Sequence, residues 1–286
     1  MRGRHRRRRH TGWVIRPLTA LGVVAMLAVV PARAAEDGAV DGSILLSTLV
    51  GGDPPFSAAN EASSKSGPLL DAAVEPDRSI RYALPRHPPR LKSGASGREV
   101  MVLQERLASL HYDVGPMDAS FGSDTHHAVV AFQKVHGMER NGVVGENVWN
   151  ALADPVGPEP QNVRDGSYIE VDLTRQVVYL VVDGRIDRIL DTSTGGGYSF
   201  VVNGERRFAG TTVGAHEIFR QIPGWSNTSL GPVYDMTYFV NRTAIHGYPS
   251  VPPYPASHGC VRLTLEAMDR LWPKLYVGMP VFVYRS

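Results

Sequence analysis

The chain has 286 residues and a formal net charge of +2, but its first 34 residues hold eight arginines and no acid, leaving 22 basic against 28 acidic residues in the rest. The positive excess therefore belongs to one end, and the composition gives no support for nucleic-acid binding. A single cysteine, Cys260, excludes an internal disulfide framework.

The N-terminus combines a basic start, an apolar run from Leu18 to Val30 and an Ala32-Arg33-Ala34 site. This pattern predicts a secretory signal over 1–34, cleaved after Ala34, with an uncleaved anchor as the alternative. The run is shorter than the roughly 20 residues a membrane span needs. An exported chain normally pairs its cysteines. A lone one is buried and inert, bridged to another molecule, or reactive.

Residues 35–90 are rich in Ala, Pro, Ser, Gly and Asp without a sustained period, and predict a disordered linker with a short ordered piece near Ile44–Val50. Residues 91–153 predict three helices. Ser96-Gly97-Arg98-Glu99 has the form of a capping box, followed by Val100, Leu103, Leu107 and Leu110 at helical spacing. A second helix starts near Ser123 or Asp124, turns Val129, Phe132 and Val135 to one face and stops at Gly137. A third contains Val148, Trp149 and Leu152. Leu103-Gln104, the Asp118–Gly122 turn, Phe132-Gln133 and Gly142-Val143-Val144-Gly145 together resemble the small peptidoglycan-binding domain of bacterial wall enzymes. The resemblance implies a module that holds wall glycan or stem peptides; a bundle that only spaces the next domain is the alternative.

A second, proline-bearing linker is expected over 154–166, and the period then switches. Ile169, Val171 and Val177 through Val182 read as strands, with Asp183-Gly184 as a hairpin turn. Further strands are expected near Arg185–Ser193, Glu217–Gln221, Tyr238–Ile245 and Pro280–Tyr284. A helix begins after Thr264 and ends before Pro273. The fold class expected is α+β and multidomain, a three-helix bundle followed by a β-rich domain over 167–286.

The chemistry-bearing stretch is Ser257-His258-Gly259-Cys260-Val261-Arg262. A histidine beside a thiol can form a thiolate–imidazolium pair and lower the thiol pKa. His258 is two residues away, while His246 ends an apolar strand elsewhere. Spacing alone does not choose between them. Geometry favours His246, because a base on a separate strand can aim its ring at the sulfur. A carbonyl at Gly247 could accept the other imidazole N–H and fix the tautomer. Glycine at 259 permits a turn that aims the Gly259 and Cys260 amides at a developing oxyanion. Arg262 offers a forked donor for a carboxylate, in the substrate or in the protein. His111, His126, His127, His136 and His216 read as ordinary surface or core residues. A zinc site from His246, His258 and Cys260 is the rival, without a convincing fourth ligand.

His246-Gly247, then Ser257 through Arg262, with "TSTGGG" upstream and "VGMPVFVY" at the end, make residues 167–286 similar to the L,D-transpeptidase catalytic domain of the YkuD type. The family's "TPTG" reads Thr211-Thr212-Val213-Gly214, so position 212 departs from proline. The resemblance implies Cys260 as nucleophile, His246 as base and the Gly247 carbonyl as orienter. His258 and Gly259 would shape the oxyanion site, with Arg262, Ser257 and Tyr238 touching substrate. It implies a cysteine acyltransferase of wall biogenesis and cell shape, acting on peptidoglycan without metal or cofactor and acylated by carbapenem-type β-lactams. A carboxypeptidase that trims stems and a non-catalytic wall-binding protein are the alternatives.

Overall fold

A computed structural model of the chain describes residue 85 and residues 87–286. The expected signal, most of the first linker and the Ile44–Val50 piece lie outside the described residues. Three helices come first, α1 (Arg98–Ser109), α2 (Ser123–Val135) and α3 (Glu146–Ala153). The expected capping box is not formed. The residue at the α1 N-cap is Gly97, at φ 110°, without a side-chain cap; Glu99 is left to favour the helix dipole from the first turn. Gly137 follows α2 at φ 63°, the left-handed exit the sequence predicts.

Eleven strands follow among the described residues. A five-stranded sheet has the order β3-β2-β1-β11-β6, from Arg185–Asp191, Val177–Val182, Ser167–Asp172, Pro280–Tyr284 and Gly214–Glu217. A four-stranded sheet has the order β10-β9-β8-β7, from Val261–Leu263, Thr243–Gly247, Gly231–Val240 and Arg220–Thr228. A separate hairpin joins β4 (Ser199–Val202) to β5 (Glu205–Phe208). The stretch expected as one strand over Tyr238–Ile245 is broken by a turn at Asn241, φ 48°, into β8 and β9. The strand expected at Glu217–Gln221 is likewise split between β6 and β7, which belong to different sheets.

The central strands β1 and β2 are buried on both faces, which is why β2 reads as an unbroken apolar run. Val178 and Leu180 join Ile169, Val171, Val281 and Val283 in a core shared with the second sheet and with α4 (Leu265–Leu271). Val177, Tyr179 and Val181 point the other way, into one cluster with Leu103, Leu107, Phe132 and Trp149 of the helices. The helices are therefore not a free-standing bundle beyond a proline-rich junction. They cover the outer face of the sheet. Between them, Glu170, fully buried, accepts hydrogen bonds from the backbone N–H groups of Gln161 and Asn162 and holds the connecting segment to β1. Among the described residues no helix is long and apolar enough to cross a membrane.

Candidate active site

The site forms where β9 and β10 run parallel. Ile245 pairs with Val261 and His246 with Arg262. Side chains alternate along a strand, so Cys260, one residue before β10, shares a face with His246 and Arg262. In the strand register it lies one diagonal step from His246, which pairs with Arg262. Cys260, His246, His258 and Arg262 line one cleft of about 400 Å³. Cys260 and His258 also line a second, of about 460 Å³, beneath the β4–β5 hairpin. Cys260 thus belongs to the lining of both clefts.

His246 is buried, and its Nδ1 lies 3.0 Å from the Gly247 carbonyl oxygen. A carbonyl only accepts, so Nδ1 carries the proton and Nε2 keeps its lone pair. Burial first, then the Arg262 charge, outweighs that hydrogen bond and pushes the imidazole down to about 4. Burial pushes the Cys260 thiol up, against smaller opposing effects of the Ala244 backbone and Arg262. Both shifts favour the neutral thiol and the neutral imidazole over the thiolate–imidazolium pair that adjacency in sequence suggests.

The turn before the cysteine is braced from within and from one side. Ser257 Oγ accepts the Gly259 N–H at 3.0 Å and donates to the Cys260 carbonyl at 2.5 Å. Both functions of this buried hydroxyl are used inside the turn, so Ser257 is built to hold the backbone rather than to meet substrate. The Gly259 N–H is engaged by the same bond and is not free to meet an oxyanion. Gly259 itself sits at φ 132°, and a Cβ there would lie 3.0 Å from the Gly210 carbonyl oxygen. From the side, the segment 191–197 runs along the turn. Thr194 O accepts from Ser257 N, Gly196 N donates to Ser257 O, and Thr192 Oγ1 donates to Arg262 O. Thr211 Oγ1 completes the brace, accepting from Gly195 N at 3.0 Å and donating to Gly259 O at 2.7 Å.

Arg262 stacks its guanidinium 4.2 Å from the centre of the Tyr248 ring and still faces the first cleft. Tyr238 lines the same cleft, its hydroxyl 3.2 Å from the Met236 sulfur. The His258 ring packs edge-on against Phe200 and Tyr198. Among the described residues no group of three His, Cys, Asp or Glu side chains gathers as a metal site.

Sequence reading missed the second layer of the site. His127 is no ordinary surface residue, since its Nδ1 lies 2.7 Å from Asp191 at the root of the 191–197 segment. It also missed three arginines on the cleft wall, Arg207, Arg220 and Arg242. Nothing in their spacing signals that they converge.

Residues 96–152 match the family model of a peptidoglycan binding domain, and residues 166–283 match that of the L,D-transpeptidase catalytic domain. The crystal structure of an L,D-transpeptidase (residues 123–326) from Xylanimonas cellulosilytica is 37% identical. It aligns over 70% of this chain and 100% of that one, with a TM-score of 0.67. An L,D-transpeptidase from Stackebrandtia nassauensis is 25% identical over 68% of this chain and 94% of that one, at a TM-score of 0.40. A curated relative named "Probable N-acetylmuramoyl-L-alanine amidase", from Bacillus licheniformis, is 38% identical over 65 residues. That match spans 22% of this chain and only 18% of the relative's length.

Proposed function

The chain belongs to the L,D-transpeptidase family, and from that premise we propose that it is a wall-associated cysteine transpeptidase that joins peptidoglycan stem peptides through 3→3 cross-links. The observation that carries this reading is the shared face of His246 and Cys260, with Cys260 in the lining of two clefts. One reacting group needs one approach, whereas acyl transfer between two peptides needs two.

The donor is a tetrapeptide stem. As Sγ of Cys260 attacks the carbonyl of its third residue, the thiol proton passes to Nε2 of His246. The Gly247 carbonyl keeps the ring in the tautomer that can receive it. The Cys260 backbone N–H, with His258 at the rim, meets the negative charge that develops on the carbonyl oxygen. Collapse of the tetrahedral intermediate breaks the peptide bond, and the imidazolium returns its proton to the departing D-alanine nitrogen. A thioester remains. The side-chain amine of a second stem then attacks it, His246 takes the amine's proton, and the thiolate leaves and is reprotonated. One amide bond is broken and one is formed, so no ATP is required outside the cytoplasm. The helices of 91–153 hold the enzyme at the wall, and carbapenem-type β-lactams acylate the same sulfur.

The test is intact-protein mass spectrometry of the purified chain with a tetrapeptide stem, then product analysis with and without an acceptor amine. An adduct on Cys260 that yields a dimer supports the reading. Hydrolysed tripeptide alone, in the presence of acceptor, makes the enzyme a carboxypeptidase. Absence of any adduct removes the catalytic reading.

A further inference from the structure

Among the described residues the first cleft is lined by four arginines, Arg207, Arg220, Arg242 and Arg262, and by no aspartate or glutamate. This is a local inversion of charge, because beyond residue 34 the chain carries more acids than bases. The arginines come from four separate places, Arg262 being on β10. Arg207 is on β5, Arg220 opens β7, and Arg242 is in the turn between β8 and β9. Convergence from distant points of the chain is costly unless it serves something, since like charges held together repel.

The charge on this wall is only partly answered from within. Glu205 pairs with Arg207 at 2.5 Å, yet it is a well-exposed residue beside the second cleft. Among the described residues neither Arg220 nor Arg242 forms an ion pair. The Arg220 guanidinium lies 5.9 Å from the centre of the Tyr238 ring, and Arg220 lines the cleft beside it. Apolar walls from Phe219, Leu230, Val233 and Met236 border the same space. A guanidinium beside low-dielectric surface binds an anion more strongly than one in open water.

Resting on the transpeptidase reading, we infer that Arg220 and Arg242 form a carboxylate-binding wall that makes the enzyme selective for stems whose acidic residues are free rather than capped as primary amides. Every peptide donor brings a C-terminal carboxylate, so that charge cannot discriminate. The further carboxylates of its acidic residues can. Amidation replaces an acceptor-only anion with a neutral group that also presents donors, and those donors meet guanidinium N–H groups that need acceptors. The penalty is therefore mismatched hydrogen bonding as well as lost charge.

Two probes separate this inference from the reading beneath it. The first needs no turnover. Iodoacetate and iodoacetamide alkylate a thiol by the same substitution, with iodide leaving, and differ in charge. The ratio of their rates on Cys260, relative to the ratio on free cysteine, is expected to favour iodoacetate by about tenfold, the scale of one charge-assisted hydrogen bond. Salt should erode that preference, and the Arg220→Gln/Arg242→Gln double variant should lose it. The second probe is a matched pair of tetrapeptide donors, free and amidated, with acylation of Cys260 followed by mass spectrometry. A similar preference for the free donor is expected in the wild type, collapsing toward equality in the double variant. Iodoacetate preference without acylation by either peptide would keep the anion wall and remove the transpeptidase reading. Equal acylation by both peptides would overturn the inference and leave the transpeptidase reading standing. An alkylation ratio equal to that of free cysteine, unchanged in the double variant, overturns the inference as well.

Discussion

Lys134, on α2, places its ammonium 2.5 Å from Oδ1 of Asp191, the last residue of β3, and neither side chain reaches solvent. The same ammonium donates to the carbonyls of Gln176 and Thr192, while His127 takes the other carboxylate oxygen. Burial pulls the Lys134 pKa below its ordinary value, with Asp191 opposing that pull. Asp191 opens the segment whose Thr192, Thr194 and Gly196 hold the turn of Cys260. A residue of the helical region is thus two hydrogen bonds from the segment that carries Cys260.

Breaking this pair from one side should be severe. Lys134→Met leaves a buried carboxylate without its partner, and such losses cost about 3–5 kcal/mol. The double variant Lys134→Met/Asp191→Leu removes both charges and should recover much of that stability. Urea denaturation of the four proteins in the cycle measures the coupling. A single variant within about 0.5 kcal/mol of the wild type would show that the pair does not hold the junction.

Removing residues 91–153 should abolish more than wall binding. The deletion strips Val177, Tyr179, Val181 and Ile189 of their cover and leaves Asp191 without Lys134. It also removes Asp113 and Asp124, which clamp Arg270 of α4 at 2.8 Å each. The expected outcome is a truncated protein that exposes an apolar sheet face, aggregates and fails to turn over even a small soluble stem peptide. In the intact chain, calorimetry should show one cooperative transition for 85–286. Two resolved transitions, or a soluble and active truncation, would restore the picture of two independent units.

That correction shows where sequence reading reaches and where it stops. β2 was legible because burial on both faces writes itself as a β-branched run. The Thr264 cap of α4 was legible because a threonine before an amphipathic stretch has one good use, and its Oγ1 accepts the Ala267 N–H. The β4–β5 hairpin was not read although Asn203-Gly204 is a strong turn signal, because its strands, Ser199–Val202 and Glu205–Phe208, lie mostly in solvent and carry no clean alternation. Within the site, Cys260 and His246 stood out by residue type and local pattern. Lys134 did not, since lysine is rarely buried and nothing local shows that a carboxylate from β3 will reach it.

The pH profile should follow the buried imidazole. With His246 pushed down to about 4, kcat/KM should hold through pH 6 and fall only as the pH drops through about 4, where the base becomes protonated. A stability change has the same sign. A histidine whose folded pKa lies below its unfolded value near 6.5 contributes stability that is full above about 6.5 and is lost as pH falls toward 4. His246→Ala should reduce turnover by roughly 10²–10⁴. Because burial pushes the Cys260 thiol up, its alkylation by iodoacetamide should rise only above the ordinary thiol range, in both the wild type and His246→Ala. An alkylation midpoint near pH 6 in the wild type, lost in the variant, would reinstate a preformed thiolate–imidazolium pair.

Thr211 offers the most selective probe of the turn. Its hydroxyl, nearly buried, joins Gly195 N to Gly259 O. No other side chain links these two segments at that point among the described hydrogen bonds. Thr211→Val keeps the shape and deletes the hydroxyl, leaving one backbone donor and one acceptor unsatisfied at about 1–3 kcal/mol. Relaxation of Gly259 then moves the Cys260 backbone, and a displacement near 1 Å can cost on the order of 100-fold in rate. The expected result is a fall in kcat of about 10–100-fold with KM little changed, because the cleft walls that grip the donor are untouched. Thr211→Ser returns the hydroxyl and should recover most of kcat. If Thr211→Val and Thr211→Ser fall equally, the methyl group and its packing matter rather than the hydrogen bonds, and Thr211 has no part in positioning the nucleophile. If Thr211→Val raises KM and leaves kcat alone, the residue acts on binding and the brace described around Gly259 is incidental to the chemistry.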